Sequence, residues 1–146
     1  LITKMGSIVQ SVNNLDYLPP VLSMEDIQST TAQEWISLLQ QIIDYSNYNV
    51  VILDLSDSVS QLYKVLEQCT RIYMPIRADP VSQAKIQQFE HTLQVWEKQV
   101  VLERIRKIKL PYHRSSKTGI GYMDDLVWSE LGDYVREMLR TEREDG

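Results

Sequence analysis

Three oxygen-bearing side chains, Asp54, Ser56 and Asp57, close the most apolar run of the chain, Asn49-Val50-Val51-Ile52-Leu53-Asp54-Leu55. A carboxylate at the end of such a run can orient Mg2+, often through water, beside the phosphates of a bound nucleotide. The bland reading is that Asp54 or Asp57 caps the helix that follows. Apolar runs ending in Asp recur by chance, so on these residues alone both readings stand.

Ligands of open α/β sheets bind outside the carboxyl ends of the strands, so two other segment ends matter. Arg77 and Asp79 follow Arg71-Ile72-Tyr73-Met74-Pro75-Ile76, and Pro111, Tyr112 and His113 follow residues 104–110. Other chemistries find little support. His91 and His113 have no acid at metal-ligand spacing, and His91 falls on a solvated helix face. There is no nucleophile elbow. No GxxxxGK[ST] phosphate loop occurs among the five scattered glycines, and Gly119-Ile120-Gly121 follows no strand in the way a phosphate-binding turn requires. The single Cys69 excludes an internal disulfide and leaves a Cys-based metal site short of ligands. It reads as a small buried hydrophobe. The residues present make no complete active site.

The elements that must position these groups follow from periodicity. The unalternated apolar run Val50 to Leu53, with Leu55 after Asp54, predicts a strand over 50–55 covered on both faces. Residues 57–68 carry Val59, Leu62, Tyr63 and Leu66 at helical spacing, and 71–76 make a second strand, completing a βαβ unit. Asp79-Pro80 opens a long helix whose inner face is Ile86, Phe89, Leu93, Trp96 and Val100. Residues 104–110 alternate charged and apolar side chains, as a strand nearer the sheet edge does. Upstream, Thr31 to Tyr45 is an amphipathic helix with Trp35, Leu38, Leu39, Ile42 and Ile43 inward. Leu15 to Leu18 is a short strand stopped by Pro19-Pro20. Met123 to Arg140 is a closing helix on Leu126, Val127, Leu131, Val135 and Met138, and the loop His113 to Tyr122 is the segment expected to be mobile. Residues 50–55, 71–76 and 105–110 are expected as neighbouring parallel strands. The expected fold is a single α/β domain over 1–146, a mainly parallel sheet with helices on both faces.

Composition narrows the classes further. At 146 residues, 43% hydrophobic and 24% charged, the chain is a globular one rather than a disordered one. No apolar run approaches the ~20 residues that span a bilayer, so no integral membrane segment is expected, and one cysteine suits a reducing cytoplasm. The net charge of −5 is unevenly spread: residues 1–97 carry −6, 98–117 carry +6 and 118–146 carry −5. The basic strip could meet phosphates, but it has no interleaved aromatic platform and no nucleic-acid motif, so nucleic acid is not the expected partner.

In their order, Leu15-Asp16-Tyr17-Leu18-Pro19-Pro20, the helix around Glu34-Trp35, Tyr48 to Leu55, Cys69 to Ile76 and Asp79 to Ile86 resemble the second half of a ParA/MinD-type P-loop ATPase. The nearest flavour is the TadZ/CpaE-like branch, which positions pilus-assembly machinery in bacteria. The resemblance spans roughly residues 10–140 and rests on diffuse motifs. It implies that Asp54 holds the Walker B position and contacts Mg2+ indirectly. By the same carry-over, Ser56 and Asp57 begin switch II, and Pro111 and Tyr112 fall near the segment that approaches adenine. It further implies ATP and Mg2+ as cofactors, a homodimer, protein partners of a pilus or polar complex, and a bacterial cytoplasmic setting at a pole or a membrane-associated complex. The departures are that Asn49 replaces the usual Asp, Leu55-Ser56 replaces a small-residue/Pro pair, and the family's phosphate loop is missing. The opening Leu1, with no initiator Met, leads to the expectation of a piece lacking the N-terminal half. The competing expectation is a non-enzymatic α/β interaction domain. A receiver-like domain is disfavoured, because its paired acids and its Lys are not evident.

Overall fold

The computed structural model describes residues 9–12, 15–19 and 23–144. Two compact units divide the chain, Leu1–Thr70 and Arg71–Gly146. The architecture is mixed α/β. Among the described residues each unit has one two-stranded sheet, the first antiparallel and the second parallel.

In the first unit, β1 (Gln10–Val12) pairs with β2 (Leu15–Tyr17), setting Ser11 opposite Asp16. The expected strand at 15–18 is therefore present, with a partner that periodicity did not foresee. Of its Pro19-Pro20 stop, Pro20 lies outside the described residues. Helix α1 (Met24–Ser29) is capped by the Ser23 hydroxyl, which accepts from the Glu25 N–H. Helix α2 (Ala32–Tyr45) starts on a reciprocal cap. Thr31 Oγ1 accepts from the Glu34 N–H at 3.3 Å, and Glu34 Oε2 accepts from the Thr31 N–H at 2.8 Å. Ala32 and Leu39 of α2 meet Val65 of α3 (Leu62–Leu66), and Trp35, Leu53, Leu55 and Val59 pack around them. Ile43, expected inward, is 61% exposed, although it lies one turn beyond Leu39 on the same side of α2.

Residues 50–55 form no strand among the described residues. Leu53 and Leu55 face the core while Val50 and Ile52 are 73% and 82% exposed. The expected pairing of 50–55 with 71–76 is replaced by a segment without strand pairing that is anchored through Leu53 and Leu55. The expected helix 57–68 shortens to α3. Ser56, Asp57, Ser58 and Ser60 favour local turns over helix: the Ser58 N–H donates to Ser56 Oγ at 3.3 Å, and Gln61 is left-handed at φ 53°.

The second unit contains a true βαβ arrangement. Strand β3 (Ile72–Pro75) leads into α4 (Pro80–Val95), then α5 (Gln99–Arg104), then β4 (Ile105–Ile108), which lies parallel to β3 in the register Ile72 to Ile105. Asp79 caps α4 as expected, accepting from the Ser82 N–H at 2.9 Å, with Pro80 at the first helical turn. The helix stops short of Val100. Glu97 takes φ 56°, its N–H donates to Gln94 O, and the Lys98 N–H donates to Leu93 O at 2.8 Å. That is a Schellman close made without glycine. Beyond it, Val101 of α5, not Val100, is fully buried, while Trp96 is left 53% exposed.

The expected closing helix is two helices, α6 (Ile120–Val127) and α7 (Glu130–Glu144). Ser129 Oγ accepts from the Gly132 N–H at 3.3 Å at the start of α7, and Arg136 donates to Val127 O at 2.7 Å across the break. Arg71 pairs with Glu142 at 2.9 Å, tying the start of β3 to the end of α7.

Candidate functional site

Asp54, Ser56 and Asp57 all lie exposed on the segment between α2 and α3. Leu53 and Leu55, packed against the core cluster, hold that segment and turn the intervening Asp54 outward. The Ser56 hydroxyl is engaged locally by the Ser58 N–H. The capping explanation for the two acids fails: α3 begins at Leu62, with Gln61 in the cap position and no side-chain cap bond. Asp54 and Asp57 are thus solvent-facing carboxylates without a helix to cap.

Their donor chemistry suits Mg2+, a hard cation that takes one or two carboxylate oxygens and keeps several waters. Among the described residues no three His, Cys, Asp or Glu side chains gather to cage a metal by themselves.

Pro111 and Tyr112 belong to the second unit, where they follow β4. Pro111 is half-buried, and the Tyr112 side chain is the most exposed of the large apolar residues in that unit, at 86%. Because β3 and β4 are parallel and the Ile76 N–H donates to Ile108 O at 2.8 Å, the segments carrying Arg77, Asp79, Pro111 and Tyr112 leave the same carboxyl end of the sheet. Asp79 is committed to its cap. Hydrogen bonds from Ser82, first its hydroxyl and then its backbone N–H, together with the nearby Arg77 charge, hold the Asp79 carboxyl below the usual value.

One cluster escaped the sequence reading. His113 has an acid neighbour after all, Asp125, twelve positions away and too distant for any spacing rule to flag. Its Nε2 lies 3.8 Å from Asp125 Oδ2, and Lys117 Nζ lies 3.1 Å from Asp125 Oδ1. Ser115 hydrogen-bonds the same carboxylate, and that bond, followed by those of Lys117, holds the Asp125 carboxyl low. The loop expected to be mobile thus has three side chains gathered on one acid, and its last residues already belong to α6. His91 is exposed on α4, as expected. Cys69 is half-buried, its thiol donating to Val65 O at 3.7 Å.

No protein-family model, curated protein or solved structure matches this chain. Among the described residues no helix is long and apolar enough to cross a membrane.

Proposed function

We propose that this chain contributes the acidic side of a Mg2+-nucleotide site, as the second half of a ParA/MinD-like P-loop protein with a mainly parallel sheet. The observation that carries this reading is the position of Asp54. It is a carboxylate closing an apolar run, anchored on either side by Leu53 and Leu55, exposed, and without a helix to cap. The parallel βαβ unit of β3, α4 and β4 supports the same architecture. Asp54 would hold the ion through water, with Asp57 adjacent, and Mg2+ would supply neutralising charge to the phosphates. Pro111 and Tyr112, in the second unit, are the residues that the same resemblance assigns to adenine. Nucleotide bound in this way would favour a homodimer that acts as a spatial organiser, presenting a surface to a pilus or polar complex in the bacterial cytoplasm.

Since these 146 residues hold no phosphate loop, they lack the Lys and the backbone donors that stabilise phosphoryl transfer. The chain alone therefore turns over no ATP. The deciding measurement is a set of melting curves, with and without Mg2+-ATP, for the protein joined to the phosphate-loop half that this reading requires and for its Asp54→Asn variant. Nucleotide raises the melting temperature of the parent and raises that of the variant much less. Equal shifts would remove Asp54 from the site. The second reading, a non-enzymatic interaction domain, is favoured by the exposure of Val50 and Ile52, and it gives no shift in either protein.

A further inference from the structure

The cluster around Asp125 is independent of the nucleotide reading. His113 is mostly buried, with 11% of its side-chain surface exposed, and its Nε2 is buried without a hydrogen-bond partner. The Tyr122 ring of α6 packs edge-on against it, with centroids 5.9 Å apart. The groups facing the imidazole are Asp125 and Tyr122 from α6, and Lys117 and Ser115 of its own loop meet the same Asp125 carboxylate. Asp124, the neighbouring acid on α6, is exposed. The loop is drawn tight locally as well, because the Lys117 N–H donates to Ser115 Oγ at 3.1 Å.

In the neutral ring, the 3.8 Å gap to Asp125 is too long for a hydrogen bond, and Nε2 is left unsatisfied. In the protonated ring, both nitrogens carry a proton and a full positive charge sits 3.8 Å from a carboxylate that Ser115 and Lys117 already keep ionised. Protonation therefore converts an unsatisfied contact into an ion pair between loop and helix. We propose that residues 113–117 form a pH-sensitive latch, in which protonated His113 fastens the loop onto Asp125 of α6 and neutral His113 loosens it.

The test is amide hydrogen exchange of residues 114–118, corrected for intrinsic exchange, at about pH 5 and about pH 8. Protection is greater at the lower pH by about two- to fivefold, the size of a partly exposed ion pair. Its midpoint coincides with the titration of the His113 ring protons followed by NMR in the unaltered protein. In His113→Gln and in Asp125→Asn the pH dependence disappears. Equal protection at both pH values, greater protection at the higher one, or a dependence that survives in Asp125→Asn would overturn the latch. The NMR midpoint keeps the proposal falsifiable should either variant fold poorly.

Discussion

Lys107 Nζ lies 2.7 Å from Glu90 Oε1, joining β4 to the helix that crosses over to reach it. The pair closes the βαβ unit on its polar side, while Leu93 and Val101, the most deeply buried residues of that unit, supply its apolar side. Both charged side chains remain partly exposed, at 43% and 27%, so solvent screens the attraction. A double-mutant cycle on Lys107→Ala and Glu90→Ala, read by denaturant unfolding, is expected to give a coupling below about 1 kcal/mol that shrinks further in high salt. A coupling of several kcal/mol would mean that the pair, rather than the apolar layer, holds α4 to the sheet.

The apolar layer is expected to dominate. Leu93 is 1% exposed, and its removal leaves a cavity among side chains that cannot fully collapse. Leu93→Ala should cost about 2–5 kcal/mol of stability, measured as a fall in the urea midpoint at unchanged slope. A loss below 1 kcal/mol would show that the site relaxes freely.

Two glycines separate conformational from steric need. A Cβ on Gly132 would lie 2.2 Å from Val127 O and 2.7 Å from Leu126 O, backbone atoms that cannot move aside without opening the junction of α6 and α7. At Gly121 the nearest atoms are side-chain carbons of Lys117 at 3.7 Å, an ordinary contact. Gly132→Ala should therefore lower the melting temperature strongly. Gly121→Ala, in a helix, should raise stability by about 0.5–1 kcal/mol. Similar effects of the two substitutions would contradict this packing at the junction.

Glu97 closes α4 in the left-handed region at φ 56°, where a side chain is disfavoured and glycine is not. Glu97→Gly should stabilise the protein by up to about 1 kcal/mol, checked by thermal unfolding. Destabilisation would mean that the Glu97 side chain contributes more than its backbone costs.

Acid should weaken the fold at its helix starts. Asp79 and Glu34 both accept bonds that cap helices, Asp79 from Ser82 and Glu34 from Thr31, and these bonds hold their carboxyls below the ordinary values of 3.8 and 4.5. A lowered folded-state value means that the ionised form is favoured by folding. That contribution is complete above the ordinary values and is lost as pH falls through the lowered ones. Melting temperature should thus fall as pH drops below the ordinary carboxylate range. Asp79→Asn, which keeps a cap but carries no charge, should flatten part of that fall. An unchanged slope would assign the acid sensitivity to other carboxyls.

Local chemistry was the most legible part of this sequence. Asp79-Pro80 announced the start of α4, the residues from Thr31 to Tyr45 announced α2, and the alternation after Arg104 announced β4. These features are written within one or two helical turns, where side-chain caps and periodicity act directly on the backbone. The Schellman close at Glu97 and the break at Trp128-Ser129 were hidden because no glycine or proline marks them. The Gln61 turn was hidden in the same way, and the Thr31–Glu34 box was visible but unread.

What the amino-acid order determined by itself is which stretches are apolar, where α2 and α4 begin, and that Asp54, Ser56 and Asp57 follow one apolar run. Only the tertiary structure decided what those stretches meet. It laid β4 beside β3, left residues 50–55 without strand pairing, and started α3 too late for Asp54 to cap. It also carried Asp125 to His113 across twelve positions. The physical reason is that capping and periodicity are decided by neighbours along the chain. Pairing, burial and ion-pair distance depend instead on which distant surfaces pack together, and an apolar run such as 50–55 offers two faces without naming the partner for either.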